Sequence, residues 1–205
     1  ELAGAGFINF YIIKKYWHNL LIDIFNQQYD YGKNDIGKGK TVNIEFVSAN
    51  PTGPLHVGHT RGAIFGDTLA SLLKNVGFSV TREYYINDAG TQIEALCRSA
   101  YSRYEEALGK KYNADNNEYP GDYLKKVGKN LVDEFGDSLL SSDNKPNLEK
   151  IKKHTLSVMI DQIKKDLLDL GVIMDNFVSE SSLYKNGKVQ EAIDKWTKVK
   201  KDNSS

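Results

Sequence analysis

The sequence is short of cysteine, proline and methionine, and its charges cancel. Its single cysteine, Cys97, rules out an intrachain disulfide and points to a reducing compartment, taken here as the cytoplasm. Cys97 lies in TQIEALCRSAYSRY, a helical-looking run in which a small buried apolar residue is the ordinary reading. No apolar stretch approaches the roughly 18 residues that cross a bilayer, so no membrane partner is expected. With 27 basic and 27 acidic residues the formal net charge is +0, which denies the chain the basic footprint of a stand-alone nucleic-acid binder. The run KWTKVKK near the end is basic, but charge runs at chain ends are commonly just solvated. The opening ELAGAGFINFYIIKKYW lacks Met and lacks a charged leader before an apolar core. It does not read as a signal peptide, and an internal starting point is expected.

What is present is an α/β alternation. Residues 1–8 suggest a short strand punctuated by Gly4 and Gly6, followed by a helix with Tyr11, Ile12, Tyr16, Leu20 and Ile24 on one face. YDYGKNDIGKGK, residues 29–40, has a linker's composition, and a domain boundary is placed there: 1–35 before it, 36–205 after it. TVNIEFVS alternates Val42, Ile44 and Phe46 against Asn43, Glu45 and Ser48, as a strand does. Phe65, Leu69, Leu72, Leu73 and Val76 then form a helical stripe, which Gly77 ends. FSVTREYYIND supplies a second strand, so the three elements make a βαβ unit with a parallel pair. Helices are predicted over about 91–107, 122–135 and 147–170, then a strand in VIMDNFVSE and a helix in KVQEAIDKWTKV. The middle portion, about 108–145, reads as an insertion into the α/β layer.

The most informative stretch is VSANPTGPLHVGHTRGAIFGD, residues 47–67. It places His56 and His59, two of only four histidines, at the corner between the first strand and its helix. In parallel sheets ligands sit beyond the carboxyl ends of the strands, so this corner and Asn87–Gly90 should converge. A metal reading lacks a third ligand nearby. A structural reading has the histidines cap the helix, but leaves Pro51, Gly53, Pro54 and Gly58 unexplained. A nucleotide reading uses the free N–H groups and positive end of the helix, with the histidines as donors where phosphoryl charge develops.

HVGH, preceded by Pro-Leu, resembles the His-x-Gly-His signature of class I aminoacyl-tRNA synthetases. The run VNIEFVSANPTGPLHVGHTRGAIFGDTLASLLKNVGFSVTREYYINDAG is similar throughout to the arginyl-tRNA synthetase family. AGAGFINF resembles the close of that family's N-terminal appended domain, and DLLDLGVIMDNFVSESSLY the far side of its connective insertion. The likeness covers most of the chain and is weakest at 108–150 and 190–205. It implies a Rossmann-like parallel sheet, the first half of a class I catalytic domain, with a helical and loop insertion at about 108–205. A short remnant of the appended domain would precede it. It implies ATP-dependent activation of arginine to arginyl-adenylate and transfer to tRNA(Arg), with Mg2+ accompanying ATP, no tightly bound cofactor, and a monomer.

Carried over by position, the signature spans Ala49 to His59. His56 and His59 become the catalytic pair, Pro54, His56, Gly58 and His59 the ATP contacts, and Glu45, Ser48, Asn50 and His59 the arginine contacts. Asn87, Asp88 and Gln92 lie near the same mouth and join the candidates, with loop and helix capping as the bland alternative. Gly53 stands where some family members have lysine, and those members often lack a good Lys-Met-Ser-Lys-Ser loop. The complete protein is therefore expected to carry that second signature. No Lys-Met pair occurs here, and lysines on the β- and γ-phosphates supply much of phosphoryl-transfer stabilisation. The expectation is a fragment that is inactive alone; the alternative is a non-catalytic nucleotide- or tRNA-binding remnant.

Overall fold

In a computed structural model the described residues are 1–112, 119–140 and 148–202. Two short antiparallel strands, β1 (Leu2–Ala3) and β2 (Phe7–Ile8), turn through Gly4 and Gly6, whose φ of 55° and 98° only glycine adopts cheaply. Helix α1 (Lys14–Gln27) follows, and none of its residues is buried. The predicted apolar face of this helix is therefore present but uncovered: Tyr16 and Ile24 are exposed, and Leu20 is half-buried.

Strands β3 (Thr41–Glu45), β4 (Ser79–Ile86) and β5 (Asn176–Ser179) form one sheet in the order β3-β4-β5, parallel throughout. Helix α2 (Val57–Asn75) makes the first crossover, and Gly77 (φ 88°) ends it as predicted. Residues 34–39, read as linker, are tied to that same turn. Asn34, Gly37 and Gly39 donate their N–H groups to the carbonyls of Asn75, Val76 and Gly77. A Cβ on Gly37 would stand 2.5 Å from the Phe78 nitrogen, so the Gly-rich composition serves close docking as well as flexibility.

The α2 stripe differs from its prediction. The residues buried against the sheet are Ala63, Gly66 and Ala70, whereas Phe65, Leu69 and Leu72 are exposed. Counting bulky residues favours the wrong side, because close helix–sheet approach needs small ones. A Cβ on Gly66 would lie 2.2 Å from Cγ of Phe46.

Between β4 and β5 run α3 (Thr91–Ala107), α4 (Tyr123–Phe135) and α5 (Leu148–Asp169), as expected. Their own core contains Ile93, Leu96, Tyr104, Leu124, Leu131 and Ile151, so this helical cluster starts with α3, upstream of residue 108. Cys97 is buried in it, and burial pushes its thiol up to about 11, as befits an inert apolar residue. Helix α5, 22 residues and about 33 Å long, reaches a second core. Its Ile163 and Leu167 pack with Ala63, Tyr84, Ile86 and Val172 beneath the sheet. Helices α6 (Glu180–Lys185) and α7 (Lys188–Asp202) close the chain's described part. No helix among the described residues is long and apolar enough to cross a membrane.

Candidate functional site

Beyond β3 the backbone is strained. Val47 and Ser48 take φ of 67° and 42°, a region costing an L-residue roughly 1–2 kcal/mol, and a β-branched residue there is a true outlier. The surroundings hold it in place. Ser48 N–H donates to the Phe46 carbonyl at 3.0 Å, and Ser48 Oγ accepts from Tyr85 N–H at 3.0 Å. Beneath them the Tyr84 hydroxyl, on a fully buried ring, donates to the Ala49 carbonyl at 2.9 Å. Burial pushes the Tyr84 phenol up to about 12, so it remains a donor at neutral pH.

The kink turns the chain across the sheet's carboxyl edge, where it meets Gln92, just past the Asn87–Gly90 segment expected there, whose Asn87 and Asp88 bond to Glu180, Ser179 and Ser181 instead. Asn50 Nδ2 donates to Gln92 Oε1, on the first turn of α3, at 2.7 Å. His56 is the N-cap of α2 and His59 its third helical residue. Gly58 N–H donates to His56 Nδ1 at 3.2 Å, and His56 N–H donates to His59 Nδ1 at 3.3 Å. The two rings stack at 3.8 Å with an interplanar angle of 22°.

This arrangement assigns the tautomer. Each Nδ1 accepts a backbone N–H, so in the neutral rings the proton sits on Nε2. Two Nε2–H donors result at a helix N-terminus, where anions are favoured. His59 is held below its ordinary 6.5, chiefly by burial and further by the neighbouring His56. The Nδ1 of each ring thus helps hold the start of the helix, and no described residue bonds to either Nε2. Gly58 has a local reason of its own, since a Cβ there would meet His56 Cε1 at 3.0 Å. No group of three His, Cys, Asp or Glu residues among those described could hold a metal ion.

The other candidates separate. Glu45 is exposed at the end of edge strand β3, in register with Glu83, and no described residue pairs with its carboxylate. Pro54 is exposed, and with Leu55, Thr60, Ala63, Asp166 and Leu170 it lines a cavity of about 390 Å³ beside the corner. Asp88 is committed elsewhere. It accepts from Ser179 Oγ at 2.6 Å, and from Ser181 N–H and Oγ, each at 2.8 Å. Burial alone would raise its carboxyl, but these bonds overcome that and hold it below 3.8. Asp88 thus clasps the start of α6 to the end of β4, the bland role weighed for it. Asn87, its amide nitrogen turned toward acceptors, donates to the Ala89 carbonyl at 3.2 Å and to Glu180 Oε2 at 2.8 Å.

Three contributors escape a linear reading. Tyr84 carries the Ala49 carbonyl, Tyr123 on α4 donates to the Thr52 carbonyl at 2.5 Å, and Asp166 on α5 accepts a long bond, 3.4 Å, from Leu55 N–H. The last two lie 71 and 111 residues from their partners, and no local motif marks them.

The profile of the family described as class I tRNA synthetases (R), catalytic domain, matches residues 20–202. The chain belongs to that family. Among curated relatives of this synthetase segment, the arginine–tRNA ligase of Ruegeria sp. (strain TM1040) is 50% identical over 194 residues, 95% of this chain and 33% of the relative. That of Wolbachia pipientis wMel is 51% identical over 193 residues, 94% and 34% respectively. A solved Campylobacter jejuni protein described as an arginyl-tRNA synthetase superposes with a TM-score of 0.74 at 33% identity, covering 87% of this chain and 40% of that one. The Thermus thermophilus arginyl-tRNA synthetase, at 19% identity and a TM-score of 0.50, covers 83% of this chain and 29% of its own, and shares the fold. The synthetase segment thus spans about a third of the length of the curated relatives it matches. Its α/β class and parallel Rossmann-like sheet agree with the sequence reading.

Proposed function

We propose that this segment is the ATP- and arginine-binding half of the catalytic domain of an arginine–tRNA ligase. In the reaction the arginine carboxylate attacks the α-phosphate of ATP, pyrophosphate leaves, and arginyl-adenylate then esterifies the 3′ end of tRNA(Arg). Mg2+ travels with ATP as part of the substrate complex. The observation that carries the reading is the stacked pair His56–His59, with both Nδ1 atoms occupied by backbone N–H groups. Their Nε2–H donors suit an α-phosphate on which negative charge grows during the attack. Glu45 offers a cationic substrate group a carboxylate that no described residue pairs, while Ser48 and Asn50 stand beside it at the strained end of β3. Gly58 and Pro54 bound the side where the nucleotide lies, and Gln92 holds Asn50. Asn87 lines the mouth, and Asp88 shapes it as a clasp. The reading places the complete enzyme in the cytoplasm, as a monomer.

Arginine-dependent ATP–pyrophosphate exchange, run with and without tRNA, is the test. In the complete ligase His59→Ala should lower the exchange rate by about 10²–10³, the usual loss for one donor to a developing oxyanion, with a smaller change in arginine binding. The 205-residue chain alone should not aminoacylate at a useful rate. Unchanged exchange in the His59→Ala enzyme, or robust charging by the chain alone, would overturn the corresponding part of the proposal.

A further inference from the structure

The loop that delivers His56 carries two prolines and so has few N–H groups with which to fix itself. Pro51 and Pro54 have none, and between Ala49 and His56 only Thr52 N–H makes a backbone bond, to the Asn50 carbonyl at 2.8 Å. Three side chains from elsewhere fix its backbone instead, at every third residue: Tyr84 at the Ala49 carbonyl, Tyr123 at the Thr52 carbonyl, Asp166 at Leu55 N–H. The sheet holds the first point and the helical cluster the other two.

Tyr123 has the most closely fitted seat. Its ring lies between two glycines: a Cβ on Gly121 would stand 2.2 Å from its Cε1, and one on Gly53 would stand 3.3 Å from its hydroxyl. At the other end α4 is anchored by Leu124, Val127 and Leu131, all fully buried in the core shared with α3 and α5. Gly128 brings α4 hard against the Arg103 backbone, where a Cβ would meet the carbonyl oxygen at 2.4 Å. The phenol therefore projects from a rigid base.

We propose that Tyr123 is a positioning residue for the histidine corner: its hydroxyl sets where Thr52 and Gly53 run, and through them the placement of the His56–His59 pair. Tyr123 itself touches neither nucleotide nor amino acid. Burial, and the nearby Tyr119, raise its phenol above the ordinary 10.0, so it donates at all working pH values. This rests on the reading of the corner as the site of adenylate formation, and it gives the helical cluster a part in catalysis.

The test is Tyr123→Phe in the complete ligase, assayed by ATP–pyrophosphate exchange beside His59→Ala. Phe keeps the ring between the glycines and removes only the hydroxyl. We expect kcat to fall about fivefold, the rate equivalent of one ordinary net hydrogen bond, with the KM for arginine unchanged and Tm within 2 °C or so. Gly53→Ala, which presses on the same hydroxyl, should show the same kcat loss, and the double variant should lose little more than either single one. In the 205-residue chain, Tyr123→Phe should shift the Cε1–H proton resonances of His56 and His59 and leave those of His18 and His154 in place. An unaltered kcat in Tyr123→Phe, additive losses, or unmoved His56 and His59 resonances would each overturn the proposal. If His59→Ala slows exchange and Tyr123→Phe does not, only the positioning role falls. If neither does, the reading of the corner falls with it.

Discussion

Replacing Asp88 by Asn tests whether this residue is a clasp or a ligand. The carboxylate accepts from Ser179 Oγ, Ser181 Oγ and Ser181 N–H, and these contacts tie β5 and the start of α6 to the end of β4. Asn keeps the shape but can offer only one acceptor oxygen, and it turns an NH2 group toward donors. Hydrogen bonds to a charged group are worth about 1.5–3 kcal/mol each. Because the three share one partly exposed group, the summed loss should be about 2–3 kcal/mol. For a chain of this size that is a fall in Tm of about 4–12 °C. The pH dependence supplies a sharper check. The folded carboxyl lies below 3.8, so its contribution is complete above 3.8 and is lost as pH falls through the folded value. Asn does not titrate. The gap in Tm between the wild type and Asp88→Asn should be widest near neutrality and close in acid. Thermal unfolding followed from pH 7 to pH 2.5, with hydrogen exchange at the Ser181 amide, measures both. A gap independent of pH, or an unprotected Ser181 amide in the wild type, would refute the clasp.

Two further expectations concern packing and proton linkage. Gly66→Ala should gain roughly 1 kcal/mol of helix propensity but lose more by driving Cβ into the Phe46 ring, whose Cγ is 2.2 Å away. A net loss of about 1–2 kcal/mol in denaturant unfolding is expected, and a rise in the midpoint would show that the ring yields freely. His59 should titrate below 6.5 by proton NMR. Its neutral form then stabilises the fold above pH 6.5, and that share is lost as pH falls through the folded value; a midpoint above 6.5 would contradict the Nδ1-acceptor geometry.

What was legible in the sequence follows the range of each interaction. Thr41–Val47 alternates and Gly77 marks a helix end, so the βαβ unit could be read from neighbours alone. His56 and His59 are three residues apart and make their contacts within one turn of α2. The meeting of Asn50 with Gln92 was reachable through topology, because parallel strands send both loops to one edge. The α2 face was misread, since a count of bulky residues favours Phe65 and Leu72 over Ala63, Gly66 and Ala70. The glycines that let helices and strands approach closely look like breakers in a linear pattern. Tyr123 and Asp166 were out of reach, because each meets the corner through a single polar contact across the fold. The boundary placed at 29–40 rests on composition, whereas residues 34–39 are bonded to the α2–β4 turn. The stretch between the helices predicted over about 122–135 and 147–170 falls partly outside the described residues.

Helix α5 has a thermodynamic consequence. Its Ile151 and Met159 belong to the core of the helical cluster, and its Ile163 and Leu167 to the core beneath the sheet. Unravelling half of a continuous helix exposes buried side chains at the break and forfeits its hydrogen bonds there, so neither core can melt while the other keeps α5 intact. The sheet and the helical cluster should therefore unfold in one cooperative step. Any substitution that loosens Ile151, about 27 Å by helix rise from the far end of α5 at Asp169, then raises the population in which the histidine corner is also lost.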